Sequence, residues 1–183
     1  MYVFLANNLD DCDGHLGLGT TVIGDLVLIF AIWNITWFVF MNNTYKPLLD
    51  AVNSQEHLVL EDSCVYDGYR YSVFPPSYLS FSGNLTISIY DDENIEDGET
   101  RSSLLIWPKI NGEYEYGISL RVFDIDSEKD GFSFESYSFI LDEKMEPLKE
   151  LNPVEKEVYE QEKETIKSMY EKAYNMWGIG EKI

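Results

Sequence analysis

"LLIWPKINGEYEYGISLRVFDID", residues 104–126, decides the fold. Asn111-Gly112 separates two strand-like runs, and both residues tolerate positive φ, so a type I′ hairpin turn is expected there. On the return run Tyr114, Tyr116, Ile118, Leu120 and Val122 share one face. Glu113, Glu115, Ser119 and Arg121 share the other. One buried face and one wet face is the pattern of an antiparallel sheet.

The same alternation continues on both sides. "FSFESYSFIL" (132–141) supplies a further strand, with Phe132, Phe134, Ser136, Ser138 and Ile140 on one side. Upstream, "YLSFSGNLTISIY" sets Leu85, Ile87 and Ile89 on one face. "YRYSVF" alternates Tyr69, Tyr71 and Val73 against Arg70 and Ser72, and Pro75-Pro76 then stops any ladder. "HLVLE", from His57, is a short alternating run, and "DDENIEDGET" is an acidic loop.

After the strands comes a helix. Asn152 reads as its N-cap, Pro153 as its first residue and Glu155 as the partner in a capping box. Val158, Thr165, Met169, Ala173 and Trp177 are spaced as one apolar stripe for packing. Glu160, Glu162, Lys163, Glu164 and Lys167 fall on the solvent side, and Gly178 ends the helix. The expected class is α+β: an antiparallel, meander-like sheet with a C-terminal helix packed on one face.

Ahead of this lies "VIGDLVLIFAIWNITWFVF", residues 22–40, with Asp25 as its only charge. A membrane-spanning helix needs about 20 mostly apolar residues. The competing reading is a buried hairpin turning at Asn34, since Val, Ile, Phe and Trp favour strands. The division expected is a segment of residues 1–44, with an anchor at about 22–41, and a soluble α+β domain of residues 45–183. Residues 47–54 read as a short helix opened by Pro47. No Lys or Arg precedes the apolar run, and Lys46 follows it. That is unlike a cleavable signal sequence, and the positive-inside rule puts residues 46–183 in the cytosol.

Asp and Glu number 33 against 13 Lys and Arg, for a formal charge of −20 over 183 residues. Such a surface repels nucleic-acid phosphates and attracts basic partners. The two cysteines, Cys12 and Cys64, make neither a disulfide framework nor a structural zinc set. They can pair only if no membrane separates them. The only histidines are His15 and His57, and no GxSxG, HExxH or Walker motif accompanies them. No catalysis and no cofactor are expected.

One acidic stretch, "DIDSEKDGFSFE", has calcium-loop spacing in Asp124, Asp126, Glu128, Asp130 and Glu135. Lys129 occupies the position where that loop needs Gly, and strands flank it, so a solvated acidic hairpin loop is the expectation. What remains is surface. Tyrosines give contact area at low entropy cost, and carboxylates steer a basic partner. The candidate contact residues are Tyr69, Tyr71, Asp91, Asp92, Glu93, Glu113, Glu115 and Arg121. Two uses follow: a membrane-anchored binder of another protein, or an acidic nucleic-acid mimic that inhibits a DNA- or RNA-binding enzyme.

The stretches "VLEDSCVYDGYRYSVFPPSYLSFSGNL", "LLIWPKINGEYEYGISLRV", "YSFILDEKMEPLKEL" and "MYEKAYNMWG" resemble the TipC family over roughly residues 45–183. These are streptococcal immunity proteins against LXG toxins of type VII secretion. The resemblance implies a membrane-tethered inhibitor whose curved sheet grips a toxin domain outside the cell, as a monomer or a 1:1 heterodimer. That orientation is opposite to the one Lys46 suggests.

Overall fold

The hairpin of residues 104–126 is the centre of a larger meander. The computed structural model describes residues 13–55, 63–90, 98–126 and 131–180. Helix α1 (Asp13–Phe40) runs into a π-helical turn (Met41–Tyr45) and helix α2 (Lys46–Asn53). Strands β1 (Ser63–Tyr66), β2 (Tyr69–Phe74), β3 (Asn84–Ile89), β4 (Thr100–Pro108), β5 (Tyr114–Asp126) and β6 (Gly131–Leu141) follow, then helix α3 (Pro153–Trp177). The strands form one sheet in chain order, each antiparallel to the next. The fold is the α+β architecture that the alternation predicts.

The register builds the core in rows. Val73, Leu85, Ile106, Tyr116 and Leu141 pair across five strands. Beside them run Cys64, Tyr71, Ile87, Leu104, Ile118 and Phe139. All are buried, and they share one cluster with Leu48 and Val52 of α2 and Ile166, Met169 and Ala173 of α3. Each large aliphatic side chain so placed contributes up to about 1.5–3 kcal/mol from lost water contact.

α3 begins and ends as its sequence requires. Asn152 Oδ1 accepts from the Glu155 N–H and Glu155 Oε2 accepts from the Asn152 N–H, both at 2.9 Å. Gly178 has φ +65°, and its N–H reaches the Tyr174 carbonyl at 2.7 Å. The buried stripe is shifted from the expected one: Tyr159, Ile166, Met169, Tyr170, Ala173 and Trp177 face the sheet, and Val158 and Thr165 lie at its margin. Tyrosine can take a core position when its hydroxyl is satisfied. The Tyr159 hydroxyl donates to the Met145 carbonyl at 2.7 Å.

The turn at Asn111-Gly112 departs from the type I′ expectation. Gly112 has φ +86°, whereas Asn111 is not among the described non-glycine residues of positive φ. Gly112 N–H bonds the Lys109 carbonyl at 3.0 Å and Lys109 N–H bonds the Glu113 carbonyl at 2.9 Å. This is a three-residue loop closed by a left-handed glycine, not a type I′ turn. The type I′ pattern occurs instead at Asp67-Gly68, with φ +51° and +78°, between the paired Tyr66 and Tyr69.

The chain divides into two units, Met1–Val39 and Phe40–Ile183. In the first, helix replaces the alternative of a hairpin turning at Asn34. Asn34 Nδ2 donates to the Phe30 carbonyl at 2.7 Å and Thr36 Oγ1 to the Ile32 carbonyl at 2.8 Å. These i−4 bonds satisfy polar side chains within an apolar helix. Leu26, Ile29 and Ile35 are over 60% exposed. By length and composition the helix can cross a membrane, a property a signal sequence near an N-terminus shares. The second unit takes Phe40, Tyr45, Leu48 and Val52 into its core, with the Phe40 and Tyr45 rings edge to face at 5.4 Å.

Candidate binding surface

The sheet has two unlike faces. Among the described residues, α2 and α3 both pack on the face that carries the core rows. The register puts Arg70, Ser88, Ser103, Ser119 and Ser138 in one row on the opposite face. Strands lie about 4.8 Å apart, so the four serines span about 14 Å of hydroxyl-bearing surface. The next row holds Arg101, Arg121 and Ser136. All three arginines of this acidic chain therefore stand on the sheet face away from the helices.

Arg101 and Arg121 are directly paired, an arrangement that like charges ordinarily make unfavourable. Local partners offset it. Arg101 Nε lies 2.7 Å from Glu99 Oε1. The Arg101, Arg121 and Arg70 guanidiniums stack over Phe123, Phe134 and Tyr90 at 5.7, 5.5 and 5.1 Å. Arg101 Nη2 is buried without an acceptor.

Of the candidate contact residues, Arg121 and Glu113 are exposed and Glu115 half-exposed, as a contact surface needs. Glu115 forms an ion pair with Lys109. Tyr71 is a correction: it is 2% exposed and meets Trp177 edge to face at 5.7 Å. Burial, first among its causes, pushes its ionisation well above the usual range. Tyr69 is also turned to the helix side, where its hydroxyl lies 2.7 Å from Ser168 Oγ and Lys172 Nζ sits 5.5 Å from its ring centre. The alternation of Tyr69, Tyr71 and Val73 holds, but it marks the core face. The sheet face away from the helices carries serines and all three arginines, with Glu115 at one end. Asp91, Asp92 and Glu93 lie outside the described residues, as do His57 and Cys12.

The calcium-like stretch is a strand pair. Asp124 and Asp126 belong to β5, opposite Ser133 and Gly131, and Glu135 belongs to β6, opposite Val122. Glu135 accepts a hydrogen bond from the Tyr137 hydroxyl. Glu128 and Asp130 lie outside the described residues, among which no three His, Cys, Asp or Glu side chains are grouped to hold a metal. Cys64 is 1% exposed, and burial raises its thiol pKa, which suits a core residue more than a nucleophile.

Two depressions flank the sheet. An open groove of about 450 Å³ is lined by Lys109, Glu113, Tyr114, Asp142 and Lys144. A second, of about 310 Å³, lies where Lys172 pairs with Asp67 beside Tyr66 and Asn175.

The gathering of the arginines was missed in the sequence reading. The signal was present: Arg70 stands between Tyr69 and Tyr71, and Arg121 between Leu120 and Val122. A charged residue between two core residues of a strand must point away from the core.

No protein-family model, curated protein sequence or solved structure matches this chain. The fold and surface define a class by themselves: an apolar N-terminal helix followed by an α+β unit with one sheet face left clear of the described helices.

Proposed function

We propose that this chain is a membrane-tethered immunity protein that binds and neutralises a secreted antibacterial toxin, without catalysing a reaction. The observation that carries the reading is the pairing of a membrane-length apolar helix with a folded unit whose sheet has one broad face clear of both its helices. A face that sets serines and arginines beside Leu105, Trp107, Phe134 and Ile140 suits capture of another protein, because arginine and aromatic residues are favoured at interface centres. The resemblance to the TipC family supplies the partner class, an LXG toxin, and a 1:1 complex.

In this reading α1 is a single-pass anchor and the folded unit stands outside the cell. Protease added to intact cells then digests residues 46–183; full protection would reverse the orientation. The binding test is pull-down of LXG toxin domains encoded in the same genome. Capture at micromolar concentration, with rescue of toxin-expressing cells, is expected. Capture of none would remove the proposal.

A second reading has its own observation. Glu157, Glu160, Glu164 and Glu171 are exposed along α3. Glu157, Glu160 and Glu164 follow at three- and four-residue spacing, which sets their Cβ atoms about 5–6 Å apart on one side of the helix, close to a phosphate repeat. A nucleic-acid mimic needs no membrane, so recovery of the full chain in the soluble fraction would favour it.

A further inference from the structure

We infer that the outer edge of β6 is a strand-addition site, which takes an extended segment of the partner protein through main-chain hydrogen bonds. The inference rests on the reading that this chain acts by holding another protein.

The two edges of the sheet differ. β1 has four residues, a short edge that offers little to a passing strand. β6 has eleven, and its register with β5 runs unbroken from Tyr116–Leu141 to Asp126–Gly131. No bulge twists the edge away, and no Pro or Lys interrupts it. Those are the usual devices against pairing with another chain.

Two bonds show which groups face outward. The Ile140 carbonyl accepts from Leu148 N–H at 2.9 Å, and Asp142 N–H donates to the Glu146 carbonyl at 2.8 Å. Backbone direction alternates along a strand, so even-numbered residues of β6 point away from β5. The chain's own residues 146–148 therefore already pair with this edge at one end, where Leu141 and Pro147 form an antiparallel bridge. The N–H and C=O groups of Phe134, Ser136 and Ser138 continue the same row, with no strand or loop paired to them among the described residues.

Side chains describe the occupant. A second copy would bring the same −20 charge, which opposes self-association. On the helix side of the sheet the edge presents exposed Glu135, with exposed Asp124 one strand in, behind Ser133. On the other side Phe134 is 48% exposed. An added strand with Lys or Arg toward Glu135 and an apolar residue toward Phe134 fits both faces. This gives the Asp124 and Glu135 carboxylates a steering role.

Proline separates this from other modes of binding. Ser136→Pro deletes an outward N–H that β5 does not use, and proline is tolerated on edges. The probe is the LXG toxin domain returned by the pull-down. Ser136→Pro is expected to melt as the parent does yet to bind about tenfold or more weakly, from one lost bond and a blocked approach. Ser138→Pro serves if the first variant fails to fold. Hydrogen exchange on the parent needs no variant: the Phe134, Ser136 and Ser138 amides should exchange freely alone and slow in the complex. Equal capture by parent and proline variants, or unchanged exchange on binding, overturns the edge while leaving toxin binding intact. Capture of nothing by the parent removes both, and a β6-mediated self-dimer that excludes toxin overturns the occupant named.

Discussion

Glu146 Oε1 lies 2.8 Å from Lys163 Nζ, and this pair ties the β6–α3 connection to the helix that follows it. Tyr159 reinforces the tie, donating to the Met145 carbonyl at 2.7 Å and lying 3.2 Å from Glu146 Oε2. The hydrogen bond from Lys163 is the main cause holding the Glu146 carboxyl below its ordinary value of 4.5. A carboxyl depressed in the folded state stabilises it above the unfolded pKa and loses that contribution as pH falls through the folded one. Glu146→Gln should therefore flatten the fall in urea midpoint between about pH 5 and pH 3. An unchanged slope would show that the pair contributes nothing to acid stability.

At the alkaline end the core tyrosines act in the opposite sense. Burial raises Tyr45 to about 12 and moves Tyr71, Tyr116 and Tyr159 up as well. Their neutral forms favour the folded state below the ordinary value of 10, and that contribution is lost as pH rises toward the folded values. A near-ultraviolet titration should show a late class of tyrosines that ionises together with loss of near-ultraviolet circular dichroism. A single early class would contradict the burial of these rings.

Gly117 tests the packing of the outer face. A Cβ there would stand 2.8 Å from Trp107 Cζ3 and 3.2 Å from the Phe139 carbonyl oxygen. Gly117→Ala should cost about 1–3 kcal/mol, because the indole must turn aside and the carbonyl cannot. Denaturant titration followed by tryptophan fluorescence checks it, with a red-shifted folded spectrum as Trp107 becomes more exposed.

Asn152→Ala removes one arm of the capping box and leaves the Glu155 N–H without its acceptor. A loss of about 1 kcal/mol is expected. Asn152→Ser should restore most of it, which a change in the chain's net charge or packing would not explain.

These features were unequally legible. The Asn152–Pro153–Glu155 start and Gly178 stop of α3 could be read directly, because capping uses residues within one turn of each other. The β4–β5 hairpin was equally local, although the turn type was not: the strands close at Lys109 and Glu113, a three-residue loop in which Gly112 adopts positive φ. The apolar run of residues 22–40 carries no period, so alternation could not separate helix from buried hairpin there. Its i−4 side-chain bonds at Asn34 and Thr36 belong to the helix. The contact surface was the least legible part. Tyr71 carries a polar group and looked available, yet its ring fills the space beneath Trp177.

By itself, then, the sequence determined the strands of the sheet, their order in a meander and the ends of α3, since each depends on neighbours in the chain and on period. Only the tertiary structure decided that the Tyr71 ring is buried against Trp177. It also decided the phase of the α3 stripe and the assembly of Arg70, Arg101 and Arg121 on one surface. Those outcomes depend on pairing across strands up to several dozen residues apart, and a one-residue change of phase that barely alters local pattern moves every side chain to the other face.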